Sequence, residues 1–188
     1  MRKLTVFNHV SLDGYFVDRN GDMSWAKADH QDREWDEFVS GNAGGGGVLV
    51  FGRITYQMMA SFWPMPLAKE MMPTVAEAMN NQPKVVFSRT LNDVSWKNTT
   101  LVKDNLLSEV RRIKQESRSD LVILGSGSIV AQLAPANLID EYQMVVNPIV
   151  LGSGRTMFEH LNQKLPLRLT RTRAFANGNV LLCYGPGE

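Results

Sequence analysis

Leu49-Val50-Phe51-Gly52-Arg53-Ile54-Thr55-Tyr56 decides the reading of this chain. An apolar run from Val48 to Phe51 stops at a glycine, and an arginine follows at once. A hydroxyl stands two residues further on, and Ile54 to Ser61 has helical character. A short apolar run closed by glycine reads as a buried strand, so the chain passes from a strand end into a helix start. Glycine lets the backbone approach an anion closely. A helix start supplies unpaired N–H groups and the positive end of the dipole. Arg53 adds a planar, permanently charged fork suited to phosphate. The stretch therefore predicts a site for a phosphorylated cofactor or substrate.

Outward from it, the same alternation of strands and helices repeats. Leu4 to Val10 reads as a first strand, ended by Ser11-Leu12-Asp13-Gly14. Trp35, Phe38 and Val39 predict a short helix over Asp29 to Ser40, and Gly44 to Gly47 predict a loop. Ala68, Met71, Met72, Val75, Ala76 and Met79 form a helical stripe, interrupted or restarted at Pro73, that reads as core packing. Lys84 to Phe87 and Thr99 to Val102 are further strands. Asp104 is the expected N-cap of a helix that buries Leu106, Val110 and Ile113. Arg111, Arg112, Lys114 and Glu116 are its expected solvated face. Asp120 to Leu124 and Asp140 to Val146 are strands, separated by Gly125-Ser126-Gly127-Ser128 and a short helix closed by Pro135. Leu167 to Phe175 and Val180 to Tyr184 pair as a hairpin across Ala176-Asn177-Gly178-Asn179. The pattern is βαβ-like for two thirds of the chain, with an antiparallel end.

Further candidate site residues stand at other strand ends. Gly125, Ser126, Gly127 and Ser128 could wrap a pyrophosphate with N–H groups and hydroxyls; a tight strand-to-helix turn explains them almost equally well. They match neither the dinucleotide-binding fingerprint nor a P-loop. Ser88-Arg89 suits a 2′-phosphate or an adenine face, or is a plain surface loop. Asp13-Gly14 is a turn or the start of a loop closing over a substrate. Trp25 lines a pocket or fills the core, and the first is preferred. Pro148 to Arg155 brings glycines and a cation to the same rim, or leads to Phe158 packing. His9, His30 and His160 lack metal-ligand spacing, so no metal is expected. Ser126 has no nucleophile-elbow context.

Composition sets the frame. The 188 residues fit one domain, 1–188, and 44% hydrophobic content supplies its core. A net charge of +1 argues against a nucleic-acid partner. The one cysteine, Cys183, lies in an apolar strand and is expected to be a buried thiol. No signal-peptide pattern follows Met1-Arg2-Lys3, and no run reaches the ~18 apolar residues of a membrane span. A cytoplasmic protein without a membrane partner is the expectation.

Taken together, Val10-Ser11-Leu12-Asp13-Gly14-Tyr15, Phe51-Gly52-Arg53-Ile54-Thr55-Tyr56, Val86-Phe87-Ser88-Arg89, Leu124-Gly125-Ser126-Gly127-Ser128 and Pro148-Ile149-Val150-Leu151-Gly152-Ser153-Gly154 resemble the dihydrofolate-reductase-like superfamily. More closely, they resemble the reductase domain of the bifunctional riboflavin-biosynthesis deaminase–reductase. The resemblance spans Leu4 to Tyr184. It implies a three-layer α/β/α fold around a mixed, mostly parallel sheet, with NADPH as hydride donor and a homodimer. By resemblance, Gly52, Arg53 and Thr55 bind the adenine-side phosphates, Ser88 and Arg89 flank the 2′-phosphate, and Gly125 to Ser128 hold the pyrophosphate. Asp13 and the Leu151, Gly152 and Gly154 loop face the substrate.

Some residues depart from that pattern. No deaminase domain precedes these residues, so a stand-alone reductase is expected. Classical dihydrofolate reductase carries an acid on the helix after its tryptophan; Asp29, Asp32, Glu34 and Asp36 all lie in that region here, and the spacing does not choose among them. The Gly-Gly pair of the pyrophosphate turn is Gly125-Ser126, and a serine there narrows the space for the cofactor. The leading function is an NADPH-dependent reductase acting on a small heterocyclic or sugar-linked substrate, resembling 5-amino-6-(5-phosphoribosylamino)uracil reductase. Dihydrofolate reductase activity is one alternative. A non-catalytic nucleotide-binding or dimeric scaffold is another, motivated by the unassigned acid and the Gly44 to Gly47 run.

Overall fold

The computed structural model describes residues 1–26, 32–159 and 161–187. In chain order the elements are β1 (Leu4–Ser11), β2 (Tyr15–Asp18), a 3-10 turn (Ser24–Ala26), α1 (Arg33–Gly44), β3 (Val48–Gly52) and α2 (Arg53–Phe62). There follow α3 (Pro66–Met71), α4 (Pro73–Asn81), β4 (Lys84–Phe87), β5 (Thr99–Val102), α5 (Leu106–Glu116) and β6 (Leu121–Leu124). The chain ends with α6 (Gly127–Leu133), β7 (Glu141–Asn147), β8 (Gly154–Thr156), β9 (Leu167–Ala174) and β10 (Val180–Pro186).

Eight strands form one sheet in the order β5-β4-β3-β6-β1-β7-β10-β9. The six from β5 to β7 run parallel, and β10 turns antiparallel to both β7 and β9. Parallel strands covered on both faces read as continuous apolar runs, and β3 is buried along its whole length. Val48, Val50, Val85, Phe87, Leu121 and Ile123 pack on one side with Val110 of α5 and Ile129, Val130 and Leu133 of α6. Leu49, Phe51 and Val86 pack on the other with Tyr56 of α2 and Val75 and Met79 of α4. Trp35 of α1 covers Val145, Leu181 and Cys183 on that side. The fold is thus the expected three-layer α/β/α arrangement, and Cys183 is a buried free thiol. Among the described residues no helix is long and apolar enough to cross a membrane.

Several local expectations change. The helix α1 starts at Arg33 and runs on through Gly44, so the first glycine of the four-glycine run is helical. Gly47 is required for packing: a Cβ there would lie 2.8 Å from the Asp120 carbonyl oxygen. Asn105, in the left-handed region at φ 58°, takes the cap position expected for Asp104. Lys114 is 5% exposed rather than solvated. Its Nζ donates to the Leu138 carbonyl at 2.9 Å and to the Asp140 carboxylate at 2.5 Å. Met71 points outward at 50% exposure, whereas Ala68, Val75, Ala76 and Met79 are core. Pro73 does begin a new helix, at its first turn. The strands β2 and β8 were not foreseen. They pair only with each other, Tyr15 opposite Thr156 and Asp18 opposite Gly154.

Candidate active site

The parallel register aligns the carboxyl ends of β3, β4 and β6, where an open α/β sheet binds its ligands. A cleft of about 290 Å³ opens there. Its walls include Gly52, Arg53 and Thr55 from the β3–α2 junction, Phe87 and Ser88 from the end of β4, and Ser126, Gly127 and Ser128 from the β6–α6 turn. Phe16 of β2 and Arg155 to Met157, with Glu159, close the remaining side.

The two helix starts are tied together by side chains that the sequence offers as phosphate ligands. Ser126 is the N-cap residue of α6, in the left-handed region at φ 59°. Its Oγ accepts from the Gly52 N–H at 2.7 Å. The Thr55 Oγ1 accepts from the Ser126 N–H at 3.2 Å and from the Ser126 Oγ at 3.2 Å. Thr55 and Ser126 are both buried. The serine hydroxyl is therefore engaged by Gly52 and Thr55, while Ser126 still lines the cleft. Gly125 fits the same contact: it sits at φ +61°, and a Cβ there would lie 2.9 Å from the Thr55 Oγ1. No side chain caps α2, so its first N–H groups remain available at the cleft.

Arg53 stands in the cleft, with Gln57 on its own helix as its hydrogen-bond partner at 3.2 Å. Ser88 lines the wall, but its Oγ accepts from the Thr90 and Leu91 N–H groups and so shapes the following turn. Arg89 lies outside the cleft walls, highly exposed and 3.6 Å from Asp104. The donor set of two helix starts without a side-chain cap, Arg53 and Arg155, against one carboxylate, Glu159, suits an anionic ligand.

The residues expected on the substrate side form a second group. Asp13 accepts from the Ser11 Oγ at 2.6 Å, the Leu151 N–H at 3.1 Å and the Gly152 N–H at 2.7 Å. These donors, Ser11 first, hold its carboxyl below the usual range against the opposing effect of burial. Asp13 thus tethers the Leu151–Gly152 loop at the end of β1. Gly154 is in β8, and Trp25 is half-buried in the 3-10 turn with its Nε1 donating to the Asp22 carbonyl at 3.1 Å. None of these lines the strand-end cleft.

The candidate acids divide in the same way. Asp32 is the N-cap of α1, accepting from the Trp35 N–H at 3.1 Å and the Asn177 N–H at 3.0 Å. Burial raises its pKa, but these and neighbouring N–H donors outweigh it and the net shift is downward. Glu34 pairs with Arg173 at 3.0 Å, and Asp36 is in the first turn of α1. Asp29, His30 and His160 lie outside the described residues. His9 packs edge-on to Trp35 and lies 3.4 Å from the Asn147 Oδ1; burial lowers its pKa while the Asn147 contact opposes the shift. Among the described residues no cluster of His, Cys, Asp and Glu could hold a metal. Phe16, Thr156, Met157 and Glu159 were not foreseen as cleft walls. The signal available for Phe16 was the apolar stretch Tyr15-Phe16-Val17 directly after the Asp13-Gly14 turn.

The sheet order, the helical layers and the cleft at the parallel strand ends define a dihydrofolate-reductase-like α/β protein. The chain belongs to the RibD C-terminal domain family, whose model matches residues 2–181. It is 26% identical over 183 residues to the uncharacterized protein YyaP of Bacillus subtilis (strain 168), covering 97% of this chain and 94% of that one. A crystal structure from Shewanella sp. PV-4, provisionally assigned to riboflavin biosynthesis, superposes with a TM-score of 0.75 at 23% identity, covering 100% of both chains. Dihydrofolate reductase from Enterococcus faecalis, complexed with NADP(H) and RAB-propyl, superposes with a TM-score of 0.66 at 14% identity. That match covers 99% of this chain and 97% of the reductase. Family membership and the dihydrofolate-reductase-like fold therefore agree.

Proposed function

We propose that this chain is an NADPH-dependent reductase that passes hydride to a small heterocyclic, sugar-linked substrate, of the type of 5-amino-6-(5-phosphoribosylamino)uracil. The carrying observation is the convergence of Arg53, the open start of α2 and the Ser126–Ser128 turn on one cleft. With the cofactor's phosphates held there, its nicotinamide would supply the hydride. The chain itself would bind phosphates, fix the ligand's orientation and exclude water, which together provide much of such a rate enhancement. Arg53 and the α2 start would take the adenine-side phosphates. Gly127 and Ser128 would offer N–H groups to the pyrophosphate, with Thr55 and Ser126 holding the two turns at a fixed separation.

Dihydrofolate reduction is the competing activity, and of the four candidate acids Asp32 is unsuited to assist it. A carboxylate that caps a helix and is held below its usual pKa is a poor proton donor near neutrality. Titration with NADPH and NADH tests the cofactor, and absence of binding of either at millimolar levels would overturn the proposal. NADPH oxidation with the pyrimidine substrate against dihydrofolate then assigns the acceptor. Tight NADPH binding without turnover of either substrate would support a non-catalytic nucleotide-binding protein instead.

A further inference from the structure

The wall of the cleft formed by β2 and β8 carries a second cation, the exposed side chain of Arg155. Arg155 lies in β8, opposite Val17 in the register, and its guanidinium sits over the Phe16 ring at 5.6 Å from the centroid. The strand pair that carries it is closely fitted. A Cβ at Gly154 would lie 2.1 Å from the Val17 carbonyl oxygen, so no other residue permits this approach of β8 to β2. The same pair is seated on the start of α6: a Cβ at Gly127 would lie 3.2 Å from the Met157 carbonyl oxygen and 3.6 Å from the Phe16 ring. Asp13 anchors the loop that leads into β8 through the Leu151 and Gly152 N–H groups. Among the described residues no ion pair engages Arg155; Glu159, the carboxylate on the cleft wall, is exposed.

An arginine stacked on an aromatic ring keeps its fork of N–H donors in a set plane. Arg53 and Arg155 come from different elements, α2 and β8, and line one cleft together with Gly127 and Ser128 at the start of α6. We propose that Arg155 is a second phosphate-binding residue of the site. It would grip a phosphate group at the β2–β8 side of the α6 start, away from the one taken by Arg53. This rests on the reductase reading above for the identity of the ligand. The phosphate is either that of the dinucleotide's pyrophosphate or the phosphoribosyl phosphate of the substrate.

Calorimetric titration of the full chain, as wild type, Arg155→Ala and Arg155→Lys, separates these sources. The probes are NADPH and inorganic pyrophosphate, followed by the KM for the phosphoribosylated pyrimidine. Matched melting temperatures establish that the variants are folded. A loss of about ten- to a hundredfold in NADPH and pyrophosphate affinity in Arg155→Ala, partly recovered in Arg155→Lys, assigns the residue to the cofactor. Unchanged NADPH affinity with a comparable rise in KM assigns it to the substrate phosphate. If the wild type binds pyrophosphate through Arg155 but not NADPH, the phosphate site stands while the reductase reading fails. Equal NADPH affinity, pyrophosphate affinity and KM in wild type and Arg155→Ala would overturn the proposal, as would a wild type that binds none of the three probes.

Discussion

Replacing Thr55 by valine tests whether its hydroxyl serves the ligand or the protein. Valine nearly preserves the side chain's shape but removes the acceptor for the Ser126 N–H, 3.2 Å away at a buried position. A buried donor left unpaired costs about 1–3 kcal/mol. The Ser126 Oγ–H has a second acceptor in the Leu124 carbonyl at 3.3 Å, so its lost bond adds little. The variant should therefore be less stable by about 1–3 kcal/mol, read as a lower urea midpoint at an unchanged m-value. Thr55→Ser keeps the oxygen and should recover most of that loss.

A double-mutant cycle sharpens the test. Ser126→Ala removes the acceptor of the Gly52 N–H, which is bonded at 2.7 Å, and should cost a similar amount. The two substitutions share the hydroxyl–hydroxyl contact at 3.2 Å, so their effects should fall short of additive by about 0.5–1.5 kcal/mol. Two results would refute the reasoning. One is Thr55→Val with unchanged stability but a tenfold loss of NADPH affinity, which would place the hydroxyl on the ligand. The other is strict additivity in the cycle, which would mean that the two turns are not coupled.

Other outcomes follow from single groups. Arg53→Ala should weaken NADPH by about ten- to a hundredfold and NADH far less if the guanidinium meets the 2′-phosphate; equal losses by calorimetry would move Arg53 to another phosphate. The Asp13 carboxyl titrates below its ordinary value of 3.8 in the folded chain, so its stabilisation is present above that value and is lost as pH falls through the folded one. Asp13→Asn should flatten this acid limb in unfolding titrations and speed amide exchange at Leu151 and Gly152. Burial first, and the charge of Lys97 second, lower the Lys84 pKa from 10.5 to about 8. Between those values the unfolded chain holds more protons, so stability should rise with pH, by as much as about 3 kcal/mol. Lys84→Met should abolish that rise in denaturant titrations at pH 8 and 10.

The central sheet was legible because burial on both faces leaves a plain trace in sequence. Val48 to Phe51, Val85 to Phe87 and Leu121 to Leu124 stand as apolar runs, and all three lie in strands. Their ends were legible too, since Gly52 and Gly125 mark where strand becomes helix. Partners distant in sequence left no such trace. The strands β2 and β8 are four and three residues long and pair only with each other. Lys114 follows the charge pattern of a solvated face, and only folding brings Asp140 and the Leu138 carbonyl over it. Thr55 and Ser126 each have the chemistry of a phosphate ligand, and a linear reading cannot show that they bond to one another. Arg89 is next to Ser88 in sequence, yet the turn that Ser88 shapes places it beside Asp104, outside the cleft walls.

Cleft size explains why the expected site residues fall into two groups. At about 290 Å³ the cleft lies at the lower end of the range that holds drug-sized ligands, so a dinucleotide would overrun it. The cleft has its cations, Arg53 and Arg155, on the walls around the helix starts, which suits the phosphate portion. The reacting ring would then lie outside the cleft, toward the ends of β1 and β7. Asp13, the tethered Leu151–Gly152 loop, His9 and Asn147 are found at those two strand ends or beside them. Asp13 would thus act on the substrate side by holding a loop rather than by touching the reacting atoms. This division predicts different kinetic signatures. Arg53 and Arg155→Ala should act on phosphate affinity with kcat largely preserved once saturated, whereas Asp13→Asn should lower kcat while leaving NADPH affinity near that of the wild type. Loss of NADPH affinity in Asp13→Asn equal to that in Arg53→Ala would merge the two groups and refute this arrangement of the ligand.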